Sequence, residues 1–168
     1  AVNENRRVWE IAADAQDMYF IDDEAAINQL GGEMRLIHWS WQNGFKTLKD
    51  VVFFGHIALD ANNLYFAVQT WNYGPNTNDV VKMERASDAV TILMDDKVEQ
   101  PIGLAVRGSR VVYGNMEHNI PEQVFEPWLY VFSAGSSSRI PFGDVWNSHN
   151  YSPHHLAVDD THAYVIGN

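Results

Sequence analysis

Two adjacent histidines, His154 and His155, stand just before a strand-like run in the segment SPHHLAVDDTHAYVIGN (152–168). Two further residues, Glu10 and His56, precede runs of the same type earlier in the chain. Imidazole nitrogens and carboxylate oxygens are the ligands that divalent cations take from proteins. If the fold gathers these four side chains, they form a divalent metal site, for Zn²⁺ or Ca²⁺.

A second group of residues combines aromatic rings with polar side chains of the kind that bind sugars or small apolar ligands. Indole and phenol rings stack on the faces of such ligands, while neighbouring amides form hydrogen bonds at their edges. The candidate ligand-binding residues are Trp71, Asn72, Tyr73, Trp146, His149 and Tyr151. The sequence contains no Ser-His-Asp spacing, glycine-rich phosphate loop or HExxH segment, so nucleophilic and nucleotide chemistry have no support.

The charge balance restricts the classes of partner. The 168 residues contain 11 Lys and Arg against 22 Asp and Glu, a formal net charge of −11. Nucleic-acid backbones and anionic lipid surfaces repel such a chain, so nucleic acid is not expected as a partner. The chain has no cysteine, which excludes disulfides and thiolate metal ligands. No apolar run reaches the roughly 18 residues of a membrane-spanning helix, so no membrane span is expected.

The elements that must position these residues follow from a motif that occurs four times. Its copies begin at residues 11, 57, 104 and 156 and read IAADAQDMYF, IALDANNLYF, LAVRGSRVVY and LAVDDTHAYV. Each copy is a short apolar strand, a polar turn and a second strand rich in Tyr, Val and Phe, which predicts a β-hairpin. Two more strand-like runs follow each of the first three copies. Four strands in roughly 46 residues is the size of a β-propeller blade.

Two of the copies, with their flanking residues, carry a resemblance to known repeats. The segments QPIGLAVRGSRVVYGN and SPHHLAVDDTHAYVIGN resemble the P-x-G-[IL]-A-[VL]-D-x-x-x-x-[VL]-Y-[VF] opening of NHL and YWTD-type propeller repeats. Arg107 replaces the usual Asp, and the first copy lacks the leading Pro and Gly. The array also resembles the repeats of large secreted bacterial proteins, which implies a secreted or periplasmic location. Such blades carry binding modules, lyases and lactonases alike, so the resemblance implies a fold rather than an activity.

The strand count predicts an all-β chain of about three and a half blades. As one segment, 1–168, it divides into blades of four antiparallel strands at about 11–50, 57–95 and 104–144, and a half blade at 156–168. A terminal hairpin with exposed edges is a poor end for a monomer, so we expect a second chain or a second copy to complete the ring. Two copies would give seven blades by count. The alternative is a four-bladed, hemopexin-like ring with a degenerate last blade.

Propeller connectivity predicts which residues share a surface. The loops after the second strand of each blade and those between blades lie on one face, called here the rim face. The hairpin turns between first and second strands lie on the opposite face, the turn face. The ligand-binding and metal candidates all lie on the rim face, where such loops commonly bind ligands. Residues just before each inner strand surround the channel mouth, so Glu10, His56 and the His154–His155 pair would converge there.

Three functions follow as hypotheses. The first is a ligand- or partner-binding propeller segment whose rim loops recognise a small molecule, a glycan or a partner protein. The second is a metal-dependent lyase or hydrolase acting at the channel mouth. The site resembles that of the amidating lyases and gluconolactonase-like hydrolases, whose axial-ligand pattern carries over to His154 alone. The third is a structural assembly subunit.

Overall fold

A computed structural model describes residues 7–23, 34–51, 56–69, 78–94, 100–119, 124–133, 136–141 and 153–167. The regular structure in these ranges is β-strand throughout, as the sequence pattern predicts. None of these ranges contains a helix long and apolar enough to cross a membrane.

The described ranges form fourteen strands, which build the blades in chain order. These are β1 (Arg7–Ala13), β2 (Asp17–Asp23), β3 (Met34–Ser40), β4 (Gly44–Val51), β5 (Ile57–Leu59), β6 (Asn63–Gln69), β7 (Asn78–Glu84), β8 (Val90–Met94), β9 (Gln100–Arg107), β10 (Arg110–Asn119), β11 (Val124–Ser133), β12 (Ser136–Pro141), β13 (Pro153–Val158) and β14 (Ala163–Gly167).

The strands pair as three four-stranded antiparallel sheets and one hairpin. The sheets have the orders β1-β2-β3-β4, β5-β6-β7-β8 and β9-β10-β11-β12, and β13 pairs with β14. Successive inner strands β1, β5, β9 and β13 contact one another in turn, as blades around a common axis do. The chain is therefore a partial β-propeller of about three and a half blades, as predicted. The sheets do not close on themselves, so the four-bladed ring is not the arrangement observed.

An aspartate closes the hairpin turn of three of the four blades. The carboxylate of Asp14 accepts hydrogen bonds from the backbone amides of Gln16 and Asp17 at 2.8 and 2.9 Å. Asp60 and Asp159 accept from the matching amides in their own turns. A side-chain oxygen that accepts from a backbone amide two residues later in the chain stabilises such a turn. Each of these aspartates therefore stabilises its own hairpin turn.

The third blade uses a different device at the same place. Arg107 occupies the aspartate position, and Gly108 follows it with a φ of +58°. A positive φ is open to glycine without the steric cost that a Cβ imposes. Turn geometry replaces the side-chain acceptor there.

The hydrophobic core lies between blades rather than within any one of them. Alternate residues of each strand face the preceding blade and the following blade, because side chains of a strand point to opposite sides. The first interface is formed by Tyr19, Ile21 and Leu36 of blade one against Ile57, Leu64, Phe66, Val81 and Met83 of blade two. The second is formed by Tyr65, Ala67, Val80 and Met94 against Leu104, Val111, Tyr113, Tyr130 and Phe132. Blade packing thus fixes the positions of the turn and rim residues.

Candidate functional site

The predicted ligand-binding residues of the rim face lie outside the described residues. They are Trp71, Asn72, Tyr73, Trp146, His149 and Tyr151. Their role stays a prediction from the sequence. Of the four metal candidates, Glu10, His56 and His155 have described side chains, whereas His154 is described only as a strand residue of β13.

Glu10 and His56 are brought together between blades one and two. Glu10 lies in the middle of inner strand β1, His56 directly precedes inner strand β5, and Glu10 Oε1 lies 3.5 Å from His56 Nδ1. Both side chains are half-buried. The main-chain carbonyl of His56 accepts a 3.4 Å hydrogen bond from the amide of Ala67, which fixes the backbone that carries the imidazole. Two of the predicted ligands therefore share one location.

A β-bulge recurs beside this column of residues. The strand register skips Trp9 in β1, Ile102 in β9 and His154 in β13, the matching position of three repeats. An extra residue of this kind bends a strand and redirects the neighbouring side chains, and it is common beside functional sites. No sequence pattern indicates these bulges, because a bulge is defined by the pairing of one strand with its neighbour.

The third blade places a glycine in the same column. A Cβ added at Gly103 would lie 2.6 Å from the Cβ of Leu156 in β13, so these two inner strands approach more closely than any side chain allows. His155 pairs with Ile166 on the exposed face of the last hairpin, and no contact of His155 with Glu10 or His56 is among those of the described residues. The described ranges contain no group of three or more potential metal ligands.

A charged cluster on the turn face joins the first two blades, and sequence reasoning missed it. The guanidinium of Arg85, from the last turn of blade two, lies 2.6 Å from Asp14 Oδ2 and 2.5 Å from Asp17 Oδ2. Its Nε also donates to the hydroxyl of Tyr19 at 3.3 Å. His38 contacts the other oxygen of Asp17 at 2.7 Å and stacks on Tyr19. The one hint in the sequence is a second acidic residue in the first hairpin turn.

The electrostatics of this cluster favour ionised carboxylates. The backbone amide of Gln16, followed by Arg85, lowers the pKa of Asp14 to about 2. Burial opposes ionisation of Asp17, but the hydrogen bonds from His38 and Arg85 hold its pKa below the usual value. Arg85 also donates to the carbonyl oxygens of Asp60 and Ala61 in its own blade. One arginine therefore bridges the turns of two blades.

The outer face of the first blade and the outer face of the last hairpin, called here the end faces, are exposed. Their residues occupy repeat positions that are buried between blades elsewhere in the chain. In β1, Ile11 is 58% exposed, while its repeat equivalent Ile57 in blade two is 4% exposed. At the other end, Tyr164 and Ile166 of β14 are 51% and 63% exposed. Their equivalents in β6 are buried against the next blade. Both ends present the type of surface that elsewhere in the chain forms a blade interface.

Comparison with known proteins shows likeness in fold. No protein-family model matches the chain, and no curated protein matches it significantly. A chain in the crystal structure of a nidogen/laminin complex matches with a TM-score of 0.61 and 16% identity, over 94% of this chain and 54% of that chain. The computationally designed Ika4 protein matches with a TM-score of 0.57 and 12% identity, over 98% of this chain and 87% of that chain. Acylaminoacyl peptidase of Pyrococcus horikoshii matches with a TM-score of 0.58 and 8% identity, over 81% of this chain and 25% of that chain.

At these identities the likeness concerns the fold alone. The chain spans about half of the matched nidogen/laminin chain and a quarter of the peptidase. The class that fold and site define is a partial β-propeller with open end faces.

Proposed function

We propose that this chain is a partner-binding β-propeller segment whose open end faces dock a second copy of itself. The observation that carries the proposal is the exposure of Ile11, Tyr164 and Ile166 at repeat positions that are buried between blades elsewhere. Exposed apolar surface of this kind marks interaction sites. A blade face matches the periodic apolar surface of another blade better than it matches a flat or charged partner.

A second copy fits because the two end faces are complementary repeat positions. The last hairpin presents Tyr164 and Ile166 in the places where Tyr65 and Ala67 meet the following blade. The first blade presents Ile11 in the place where Ile57 meets the preceding blade. In two copies related by a two-fold axis along the channel, the first blade of each copy would pack against the last hairpin of the other. All four end faces would then be buried. Each copy contributes three four-stranded blades and one hairpin, so the ring has eight positions, within the range of propellers.

The docking proposal predicts a dimer that single charges break. We expect light scattering during size exclusion to give twice the 19.1 kDa mass of one chain. Ile11→Asp and Ile166→Asp should each weaken association roughly hundredfold, because a carboxylate would be buried in an apolar interface. Val90→Asp is the control, since Val90 is an exposed residue of the outer strand β8, away from both end faces. A folded monomer at every concentration would contradict the proposal, as would variants that dimerise normally.

In such a dimer, the rim-face loops of both copies would belong to one completed ring. Recognition of a small molecule or glycan by Trp71, Tyr73 and Trp146 with their polar neighbours belongs to this proposal and rests on the sequence. The resemblance to repeats of secreted bacterial proteins supports a secreted or periplasmic location.

A second candidate function is a metal-dependent lyase or hydrolase at the channel mouth. The observation that favours it is the 3.5 Å distance between Glu10, in inner strand β1, and His56, which directly precedes inner strand β5. Zn²⁺ binds imidazole and carboxylate ligands. His154 and His155 occupy the matching repeat positions of the last inner strand, β13. A bound divalent ion would lower the pKa of a coordinated water or polarise a substrate carbonyl. Glu10 and His56 would orient that group.

Metal analysis tests this second candidate. After Zn²⁺ loading and dialysis, we expect close to one metal ion per chain in the wild type, measured by elemental analysis. His56→Ala is expected to lose most of it. His162→Ala is the control, because His162 lies in an exposed turn on the opposite face. Wild-type protein without retained metal would rule the site out, and so would equal loss in the two variants.

A further inference from the structure

A second site lies on the turn face, between blades two and three. It is a half-open cleft of about 670 Å³, within the size range of small-molecule sites. Its polar lining includes Asp60, Tyr65, Lys82 and four serines, among them Ser109 in the hairpin turn of blade three. Ile92, Leu93 and Phe132 supply the apolar part of the wall. Of the rim-face candidates, Glu10, His56 and His155 have described side chains, and they do not line this cleft.

The cleft occupies the place that Arg85 fills in the preceding blade interface. Tyr19 pairs with His38 in blade one, and Tyr65 pairs with Lys82 at the matching positions of blade two. In the first interface, Arg85 crosses to the turn of blade one. In blade three, the aligned residue of the sequence is Ala134, which follows Ser133 as Arg85 follows Glu84. An alanine side chain carries no guanidinium, so it cannot form the ion pairs that Arg85 forms.

The chemistry of the cleft is set by which groups are already engaged. Asp60 accepts from the amides of Asn62 and Asn63 at 2.7 Å each and from the Tyr65 hydroxyl at 2.8 Å. Burial opposes its ionisation, but these hydrogen bonds still lower its pKa. Its charge is therefore satisfied within its own turn.

Lys82 is the cationic residue in the described lining of the cleft, and it is available to pair with a ligand. It is half-buried on the strand face that looks toward blade three, and no ion pair of Lys82 is among the contacts of the described ranges. An ammonium group in such a position favours an anionic acceptor, because hydrogen bonds with charge on both sides are the strong ones. Three of the serine hydroxyls can donate and accept, whereas Ser136 Oγ already donates to the carbonyl of Ser133 at 2.8 Å and can accept only; this suits a ligand with several hydroxyl groups.

We propose that this cleft binds a hydroxylated small molecule with a single carboxylate, of the uronic acid class. The carboxylate pairs with Lys82, the sugar hydroxyls bond to Ser109 and the other serines, and the exposed side chain of Ile92 covers the C–H face of the ring. The site lies at the hairpin turns between blades two and three, so it is separate from the end faces that carry docking and from the Glu10–His56 pair.

Titration with free sugars tests the proposal, with heteronuclear NMR shifts as the measurement. Glucuronate and galacturonate are expected to shift amides of the hairpin turns at Asp60 and Ser109, whereas glucose and galactose bind at least about tenfold more weakly. Added salt should weaken uronate binding, since the cleft is half open to solvent.

Three variants separate the charge from the shape of the cleft. Lys82→Met is expected to weaken uronate binding about tenfold or more and to leave neutral sugars unaffected. Ser109→Trp, in an exposed turn, should block every sugar by filling the cleft. Lys46→Met is the control, because Lys46 is an exposed lysine paired with Asp88 outside the cleft. The proposal fails if millimolar uronate causes no shifts, or if Lys82→Met and Lys46→Met bind uronate equally well.

Discussion

Replacing Arg85 by alanine is expected to lower the free energy of unfolding by about 3 kcal/mol. The side chain is only 10% exposed and bonds to Asp14, Asp17 and Tyr19 of the neighbouring blade. Its removal leaves two partly buried carboxylates next to each other without their cation. Thermal unfolding should shift downward by roughly 6–12 °C for a domain of this size.

Two further variants show whether the arrangement or the charge alone matters. Arg85→Lys keeps the charge but cannot reach two carboxylates with a planar fork, so most of the loss should remain. Arg107→Ala removes an arginine that pairs with Asp160 where both side chains are exposed. Such a surface pair contributes little to the free energy of unfolding, because solvent screens it. Chemical denaturation measures all three, and equal losses for Arg85→Ala and Arg107→Ala would contradict the importance of the blade-to-blade bridge.

Gly103→Ala is the second substitution with a large expected effect. The added methyl would meet the Cβ of Leu156 at 2.6 Å and its backbone nitrogen at 3.0 Å, so the last hairpin must move. Overpacking of this kind costs about 2 kcal/mol, and here the strain falls on the docking of β13 against β9. We expect faster amide hydrogen exchange throughout β13 and β14, with blades one and two unaffected.

Gly44→Ala provides the matched comparison. Gly44 has a φ of +68°, and a Cβ there would have no neighbour within 4 Å. The substitution adds backbone strain of about 1 kcal/mol without a steric clash. It should therefore lower global stability while exchange in β13 and β14 keeps its wild-type ratio to the other blades. If Gly103→Ala leaves exchange in the last hairpin unchanged, the close approach of the two inner strands is not what limits this position.

Local chemistry made the repeat architecture predictable from the sequence. Turn aspartates such as Asp14 and Asp60 act on amides two and three residues away, and the alternation of apolar residues acts within a single strand. Neither depends on how one sheet lies against the next. The all-β class, the hairpins and the four-stranded blades could therefore be predicted.

Contacts between blades were decided by the tertiary structure. Arg85 meets Asp17 across 68 residues of sequence, and Gly103 meets Leu156 from the next blade. Their distances depend on the twist and packing of whole sheets, on which no local pattern reports. The turn-face cleft could not be predicted from the sequence for the same reason. The effect of an alanine in place of an arginine depends on the residues of the facing blade. The amino-acid sequence by itself specified the blades and their order; the packing between them determined where the charges meet and where the turn-face cleft lies.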